Sequence, residues 1–541
     1  MVANGHGRKG AHMNERGKRM PAWQSWVVGQ VAVWGLAMGM FQMMFTPLNQ
    51  QSVFWTRQGA WCLAGLLVVE GTLAWGGVLL LRRVAGDRVI RFLQPLFFFW
   101  AVLVAANCFP TGGKALGARF SWLSPNLYYL MVWAVGLAFS LAAGCCRKGR
   151  RLAGLCWRAL AWGWMVPPVL AVALILVSPA RAPTSRSPLS LPRVAGREES
   201  PPPVLLVILD MVAASEVWDE DGALAADLPN LTAFAAEATA CTHVTAPGPQ
   251  TRQSLPNICL QRTLDYLHLA PNGGILWKSA DGAARNEVDV GVKDCPAAVT
   301  RTVRRRGGRS MAVSYYLPWM DWFTEDWAWD AASTRCFYGL GAIGGNRFRS
   351  ALNFAALVFQ QQMFASKTPL AAAMKFFGVQ TPAARRYNAS VTSDIATEGE
   401  ACIRDVLSPG DFALLHLSIP HYPFVFDAQG TFHPRLPQTA ASYRGQLVYA
   451  DTLFGRWMDA LRASGLWDDT WVLVTSDHGL HSQKWSRCPD RHDKFHVPLW
   501  IKAPGQHAPA LREDPIRLDH LGTAFPDLWA FAPPPEQSAP R

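Results

Sequence analysis

Three short apolar runs in the second half of this sequence each end on a residue able to bind a cation. Val204–Leu209 stops at Asp210, Phe412–Ile419 stops at Pro420-His421-Tyr422-Pro423, and Trp471–Thr475 stops at Ser476-Asp477-His478-Gly479. Apolar, β-branched runs of this length read as buried parallel strands. Ligands of open α/β sheets gather outside the carboxyl ends of such strands. A carboxylate from one strand, with a carboxylate and an imidazole from another, suits a cation of the Zn²⁺ or Mn²⁺ type. Each strand end taken alone also fits an ordinary polar turn. The convergence of three points to metal chemistry.

Such a site needs a nucleophile. Residues 245–250, Thr-Ala-Pro-Gly-Pro-Gln, end one element, and Thr251 stands just before a new helical run. A hydroxyl at a helix N-terminus sees the positive end of the helix dipole, and a bound cation would favour its alkoxide further. The alternative is that Thr251 simply caps the helix.

The elements that must position these residues alternate from Val204 to about residue 530. Further strands are expected at Ala312–Tyr316 and Val497–Ile501, and helices at Leu228–Ala240 and Tyr443–Ser464. In the second helix Leu447, Leu453, Phe454, Trp457, Met458 and Leu461 recur at helical spacing and read as core. Alternation of this kind predicts an α/β domain with a mostly parallel central sheet over residues 204–541. Residues 345–400 read as amphipathic helical material, Leu352–Met363 most clearly. Pro318–Asp330, dense in Trp and acid, fits either a membrane-facing loop or plain packing. Arg304–Arg309 reads as a solvated surface.

The first part of the chain is different. Of the 541 residues, 50% are hydrophobic and only 17% charged, and the apolar excess lies before about residue 180. Five apolar stretches there, near 23–45, 59–81, 93–109, 124–146 and 157–179, are each roughly long enough to cross ~30 Å of hydrocarbon. Basic residues concentrate on alternate connections, so the positive-inside rule puts the N-terminus in the cytoplasm. Residues 1–180 are thus expected to form a transmembrane domain of five helices. The Pro-, Ser- and Arg-rich segment 181–203 is a linker, and the α/β domain is expected outside a bacterial inner membrane. The net charge of +12 is largely that of the cytoplasmic loops. Anionic headgroups are therefore the expected partners, and nucleic acid is not. Six cysteines (Cys241, Cys259, Cys295, Cys336, Cys402, Cys488) lie in the exported half, where an even number is compatible with disulfides. No CxxC spacing supports a structural zinc site.

Together these segments resemble the alkaline-phosphatase superfamily, and within it the membrane-anchored, sulfatase-like phosphoethanolamine and phosphoglycerol transferases of the bacterial envelope. Val-Ile-Leu-Asp210 looks like the first metal-ligand strand, and Asp227-Leu-Pro-Asn-Leu-Thr-Ala-Phe-Ala like the family's "PNL" helix. Thr251-Arg-Gln-Ser-Leu-Pro256 looks like the nucleophile segment, and Pro420-His421-Tyr-Pro-Phe like the substrate-side histidine. Ser476-Asp477-His478-Gly479 is the most specific match, and Lys494–Gly505 resembles the strand that comes next in the family.

The resemblance implies that Asp210, Thr251, Asp477 and His478 bind a divalent metal, Zn²⁺ or else Mn²⁺. Thr251 would be the covalent nucleophile, and His421 would orient the phosphate or protonate the leaving group. His492 or His496 would be a further substrate-side or second-metal histidine. The chain departs from the pattern after His478: Leu480 replaces the usual acid, and the later His-Gly pair is missing. Ser254-Leu-Pro256-Asn-Ile258 lacks the Arg that formylglycine conversion requires, which disfavours a sulfate-ester hydrolase. The implied function is transfer of a phosphoethanolamine or phosphoglycerol group. The donor would be a membrane phospholipid and the acceptor an envelope lipid or glycan such as lipopolysaccharide. A sulfatase-like phosphodiester or sulfate-ester hydrolase and a catalytically silent envelope-binding domain are the alternatives.

Overall fold

The computed structural model describes residues 185–528 except 195–199, 220–222, 226, 270–274, 280–297, 316, 318, 323–328, 336–381 and 492, together with 76, 80, 83 and 84. Apart from those last four residues, the five expected spans lie outside the described residues, as do Leu352–Met363 and His492. Among the described residues no helix is long and apolar enough to cross a membrane. The chain divides into two compact units, Met1–Gln42 with Leu63–Ser178, and Met43–Cys62 with Pro179–Arg541. The α/β fold belongs to the second.

Its strands are β1 (Val204–Leu209), β2 (Thr239–Cys241), β3 (Val244–Thr245), β4 (Leu264–Leu269), β5 (Ile275–Ser279), β6 (Ser310–Tyr315), β7 (Ala331–Arg335), β8 (Phe412–Leu417), β9 (Trp471–Thr475), β10 (Leu499–Lys502), β11 (Ala510–Arg512) and β12 (Ile516–Arg517). Its helices are α1 (Ala214–Val217), α2 (Pro229–Ala235), α3 (Thr251–Leu260), α4 (Val299–Arg305), α5 (Trp319–Trp322), α6 (Pro382–Asp405), α7 (Ala440–Ala463) and α8 (Leu521–Ala524).

Eight strands form one sheet in the order β11-β2-β10-β9-β1-β8-β6-β7. The pairings β9-β1, β1-β8, β8-β6 and β6-β7 are parallel, and β10 runs antiparallel to both β9 and β2. The α/β architecture with a mostly parallel central sheet is therefore as expected. Every residue of β1 is buried, because both faces of the sheet are covered. Val204, Leu206 and Ile208 share a core cluster with Leu255, Ile258 and Leu260 of α3 and Val299 and Val303 of α4. α6 and α7 pack on each other, and α6 also packs on β6 and β8.

One boundary differs from the sequence reading for a clear reason. The helix expected to run to Ala240 stops at Ala235, and Thr239–Cys241 become β2. Pairing of Ala240 with Trp500 of β10 overrides the helix preference of an alanine-rich stretch. The arginine run is not wholly solvated either. Arg309 places Nη2 2.5 Å from Oδ2 of the buried Asp411, which also accepts from the Ser408 N–H. Within the Trp-rich stretch, Trp319 and Trp329 are core residues with ring centroids 5.2 Å apart. The other tryptophans there, Trp322 and Trp327, have no described side chain. Among the described residues Cys241, Cys259 and Cys402 are free. Cys295 and Cys336 lie outside them.

Candidate metal centre

β1 and β9 are neighbours in register, Ile208 opposite Thr475. Their carboxyl ends therefore deliver Asp210 and Asp477-His478 to the same place. The turn after β1 is tight: Met211 has φ 68°, a left-handed conformation unusual for a residue with a side chain. Two hydrogen bonds hold it there. Its N–H donates to Oδ1 of Asp477 at 3.2 Å, and its carbonyl accepts from the Tyr443 hydroxyl at 3.0 Å. Backbone strain of this kind is sustained only where its surroundings over-determine it.

The turn after β9 is locked in a similar way. Ser476 Oγ accepts from the Val212 N–H and donates to the His478 carbonyl, both at 2.8 Å. The Gly479 N–H donates to the Lys494 carbonyl at 2.8 Å. A Cβ at Gly479 would stand 2.4 Å from the Asp493 carbonyl oxygen, so only glycine fits.

Ligand atoms of Asp210, Asp477 and His478 lie within 4.8 Å of one another, and all three residues are buried. His478 Nδ1–H donates to the Gly479 carbonyl at 2.8 Å, which leaves the Nε2 lone pair facing inward. That Nε2 lies 3.5 Å from Asp210 Oδ1, 3.5 Å from Asp477 Oδ2 and 3.4 Å from Thr251 Oγ1. Asp210 Oδ1 and Asp477 Oδ2 meet no donor in hydrogen-bonding geometry among the described residues. Two buried, unsatisfied carboxylate oxygens beside an imidazole lone pair are costly without a cation and suited to one. The donor set thus fits a divalent metal.

Thr251 is the first residue of α3, and the N-cap is Gln250, which makes no side-chain cap. The capping alternative for Thr251 therefore falls: its hydroxyl points to His478. Burial alone would raise Asp210, but the imidazoles of His421, His416 and His478 outweigh it and hold the carboxyl below the usual range. Asp477 moves the other way. Burial, then the charge of Asp210, push it up, against the pull of His478, His416 and Thr251. Two carboxylates in one dry site cannot both ionise freely without a cation between them.

His421, beyond the end of β8, donates Nδ1–H to the Tyr422 carbonyl at 2.6 Å and so keeps Nε2 available. Its ring meets His478 edge-on at 6.1 Å and His481 at 5.6 Å, and ligand nitrogens of the three lie within 4.8 Å of one another. His481 stacks on His478 at 4.5 Å. Burial of its ring, with His478 and His421 adding to the effect, pushes His481 down to about 3, which keeps it neutral. His496 is not brought into either group; its Nε2 pairs with the Thr242 carbonyl at 2.8 Å.

Three buried residues here escape the sequence reading. Tyr315, at the end of β6, donates its hydroxyl to Asp210 Oδ2. His416, in the middle of β8, places Nε2 3.5 Å from the same oxygen and pairs through Nδ1 with Ser314 Oγ at 3.1 Å. The signal for His416 was a lone imidazole inside the apolar run Phe412–Leu417; Ser314 and Tyr315 carried none.

Residues 358–529 match the family model described as Sulfatase. Among solved structures, the phosphonate monoester hydrolase of Agrobacterium radiobacter is 16% identical over 60% of this chain and 73% of its own, with a TM-score of 0.37. The lipoteichoic acid synthase LtaP from Listeria monocytogenes is 12% identical over 61% of this chain and 72% of its own, with a TM-score of 0.36. A protein in the alkaline phosphatase superfamily from Vibrio parahaemolyticus is 13% identical over 64% of this chain and 68% of its own, with a TM-score of 0.37.

Proposed function

We propose, from the match of residues 358–529 to the Sulfatase family model, that this chain transfers a phosphoryl-linked headgroup, phosphoethanolamine or phosphoglycerol, from a membrane phospholipid to an envelope lipid or glycan. The observation that carries this reading is the Thr251 hydroxyl, buried at the head of α3 and 3.4 Å from His478 Nε2. Asp210, Thr251, Asp477 and His478 would hold a divalent cation, Zn²⁺ or Mn²⁺. When bound, that cation lowers the pKa of a hydroxyl and offsets the charge that grows on phosphoryl oxygens.

The steps use the chain's own groups. Thr251 Oγ1 bonds to phosphorus while the bond from phosphorus to the diacylglycerol oxygen breaks. The Thr251 proton passes through solvent to the His421 Nε2 lone pair, left available by the Nδ1 bond to Tyr422, and from there to the departing oxygen. A hydroxyl of the acceptor then attacks phosphorus and gives its proton to His421 Nε2, which returns it through solvent to Thr251 Oγ1 as the Thr251 Oγ1–phosphorus bond breaks. The α3 N-terminus favours the anionic oxygen on its first residue.

The proposed setting is the outer side of a bacterial inner membrane. The N-terminus is in the cytoplasm, the five apolar stretches of residues 1–180 form the anchor, and the α/β domain lies in the periplasm. What supports this is the charge alternation along the chain, and the chemistry agrees, since donor and acceptor then share one bilayer surface. Incubating the purified chain with vesicles of phosphatidylethanolamine and phosphatidylglycerol, then mapping adducts by mass spectrometry, tests it. A headgroup mass on Thr251 that moves to an added lipid acceptor is expected. Release of free phosphoalcohol with no adduct on any acceptor would make the protein a hydrolase. No adduct and no turnover would make it a silent binding domain.

A further inference from the structure

We propose that Tyr315 and His416 form an outer shell that fixes the Asp210 carboxylate and sets how tightly the centre holds its cation. The inference rests on the proposed metal centre but assigns new residues to it. Asp210 is fully buried, and its two oxygens have different surroundings. Oδ1 faces His478 Nε2 at 3.5 Å and has no hydrogen-bond donor among the described residues. Oδ2 has other partners: it accepts from the Tyr315 hydroxyl, and His416 Nε2 stands 3.5 Å from it.

The shell is itself held. Ser314 Oγ lies 3.1 Å from His416 Nδ1, and a hydroxyl that donates there leaves the His416 proton on Nε2, the nitrogen facing Asp210 Oδ2 at 3.5 Å. The Tyr315 and His416 rings lie 4.8 Å apart between centroids, tilted by 34°. His416 and Ser314 are fully buried and Tyr315 is 4% exposed, so water does not compete for Asp210 Oδ2. β6 and β8 are parallel neighbours, and β8 pairs with β1. The adjoining strands thus reach the back of the ligand that β1 delivers. A carboxylate with one oxygen tied can swing neither out of the site nor into bidentate geometry, and outer partners of this kind tune ligand strength as well as direction. Tyr315 and His416 are positioning residues: they act through Asp210 and touch no reacting atom.

The test measures metal binding by the full-length chain in detergent, independent of turnover. Zn²⁺ affinity is read by competition with a chelator, and geometry by the absorption bands of the Co²⁺-substituted protein. Tyr315→Phe removes one hydroxyl and keeps the ring; His416→Gln removes the imidazole. Each is expected to weaken Zn²⁺ binding by about 10–100-fold and to shift the Co²⁺ bands. The metal-free melting temperature should change little for Tyr315→Phe. Unchanged affinity and unchanged bands in Tyr315→Phe overturn the inference, even if His416→Gln fails to fold. A wild-type chain that takes up no Zn²⁺ or Co²⁺ overturns it together with the metal centre. A wild-type chain that binds metal but keeps full activity as Thr251→Ala would sink only the proposed reaction.

Discussion

The Thr251 hydroxyl lies 3.4 Å from Nε2 of His478, a residue 227 positions further along the chain. One residue starts a helix; the other ends the turn after a central strand. Their meeting gives the hydroxyl a role that capping does not explain, since the cap position belongs to Gln250.

Removing that hydroxyl should remove the chemistry and leave the fold. Thr251→Ala is expected to lower turnover of a phosphodiester probe such as bis(p-nitrophenyl) phosphate by at least about a thousandfold. Thr251→Ser keeps the oxygen and should retain measurable turnover. Full activity in a folded Thr251→Ala protein would exclude Thr251 as nucleophile.

Metal should stabilise the chain more as pH rises. Without a cation, Asp477 has a raised folded pKa, because burial and Asp210 disfavour its charge. Its stability contribution is therefore complete below the unfolded value of about 3.9 and is lost as pH rises through the folded value. Asp210 is lowered, so its contribution is present above about 3.9 and lost as pH falls below it. A cation removes the Asp477 penalty by accepting its charged form, and its binding releases that proton. Zn²⁺ at 100 times its Kd contributes about 2.7 kcal/mol. At a fixed Zn²⁺ concentration the increment in melting temperature should grow as pH rises from the unfolded carboxylate value of about 3.9 through the raised folded one. A pH-independent increment would contradict the coupling.

Gly479→Ala should damage the centre through the backbone. The added methyl would meet the Asp493 carbonyl at 2.4 Å, and that carbonyl belongs to the main chain, which cannot swing aside as a side chain can. A loss of about 1–3 kcal/mol is expected, with weaker metal binding, because Gly479 also supplies the carbonyl that fixes the His478 tautomer. Denaturant unfolding and a chelator titration check both; wild-type values in each would show that the turn adapts.

Asp451 offers a contrast, since it supports the fold at a distance from the chemistry. From α7 its carboxylate accepts from the Asn230 N–H at 3.1 Å and the Leu231 N–H at 2.7 Å, at the start of α2. It also accepts from the Asn230 side chain at 2.9 Å. Asp451→Ala should cost about 1–2 kcal/mol, as for loss of a helix cap, with metal affinity unchanged. A fall in metal affinity without a fall in stability would reverse that assignment.

Local chemistry made much of this protein legible before its fold. β1 and β9 were read to the residue, because apolar, β-branched runs ending at polar turns leave few alternatives. Asp210, Asp477 and His478 stood out because charge and imidazole at strand ends cost energy unless they do something. Where the reading failed, long-range pairing had overruled local preference, as when β10 drew Thr239–Cys241 out of a helical pattern. Only the tertiary structure could turn Thr251 from a cap into a partner of His478, choose His481 over His496 as the imidazole beside His421, and put Tyr315 behind Asp210. The physical reason is register: composition shows which residues can bind a cation, but strand pairing decides which of their atoms share a point in space.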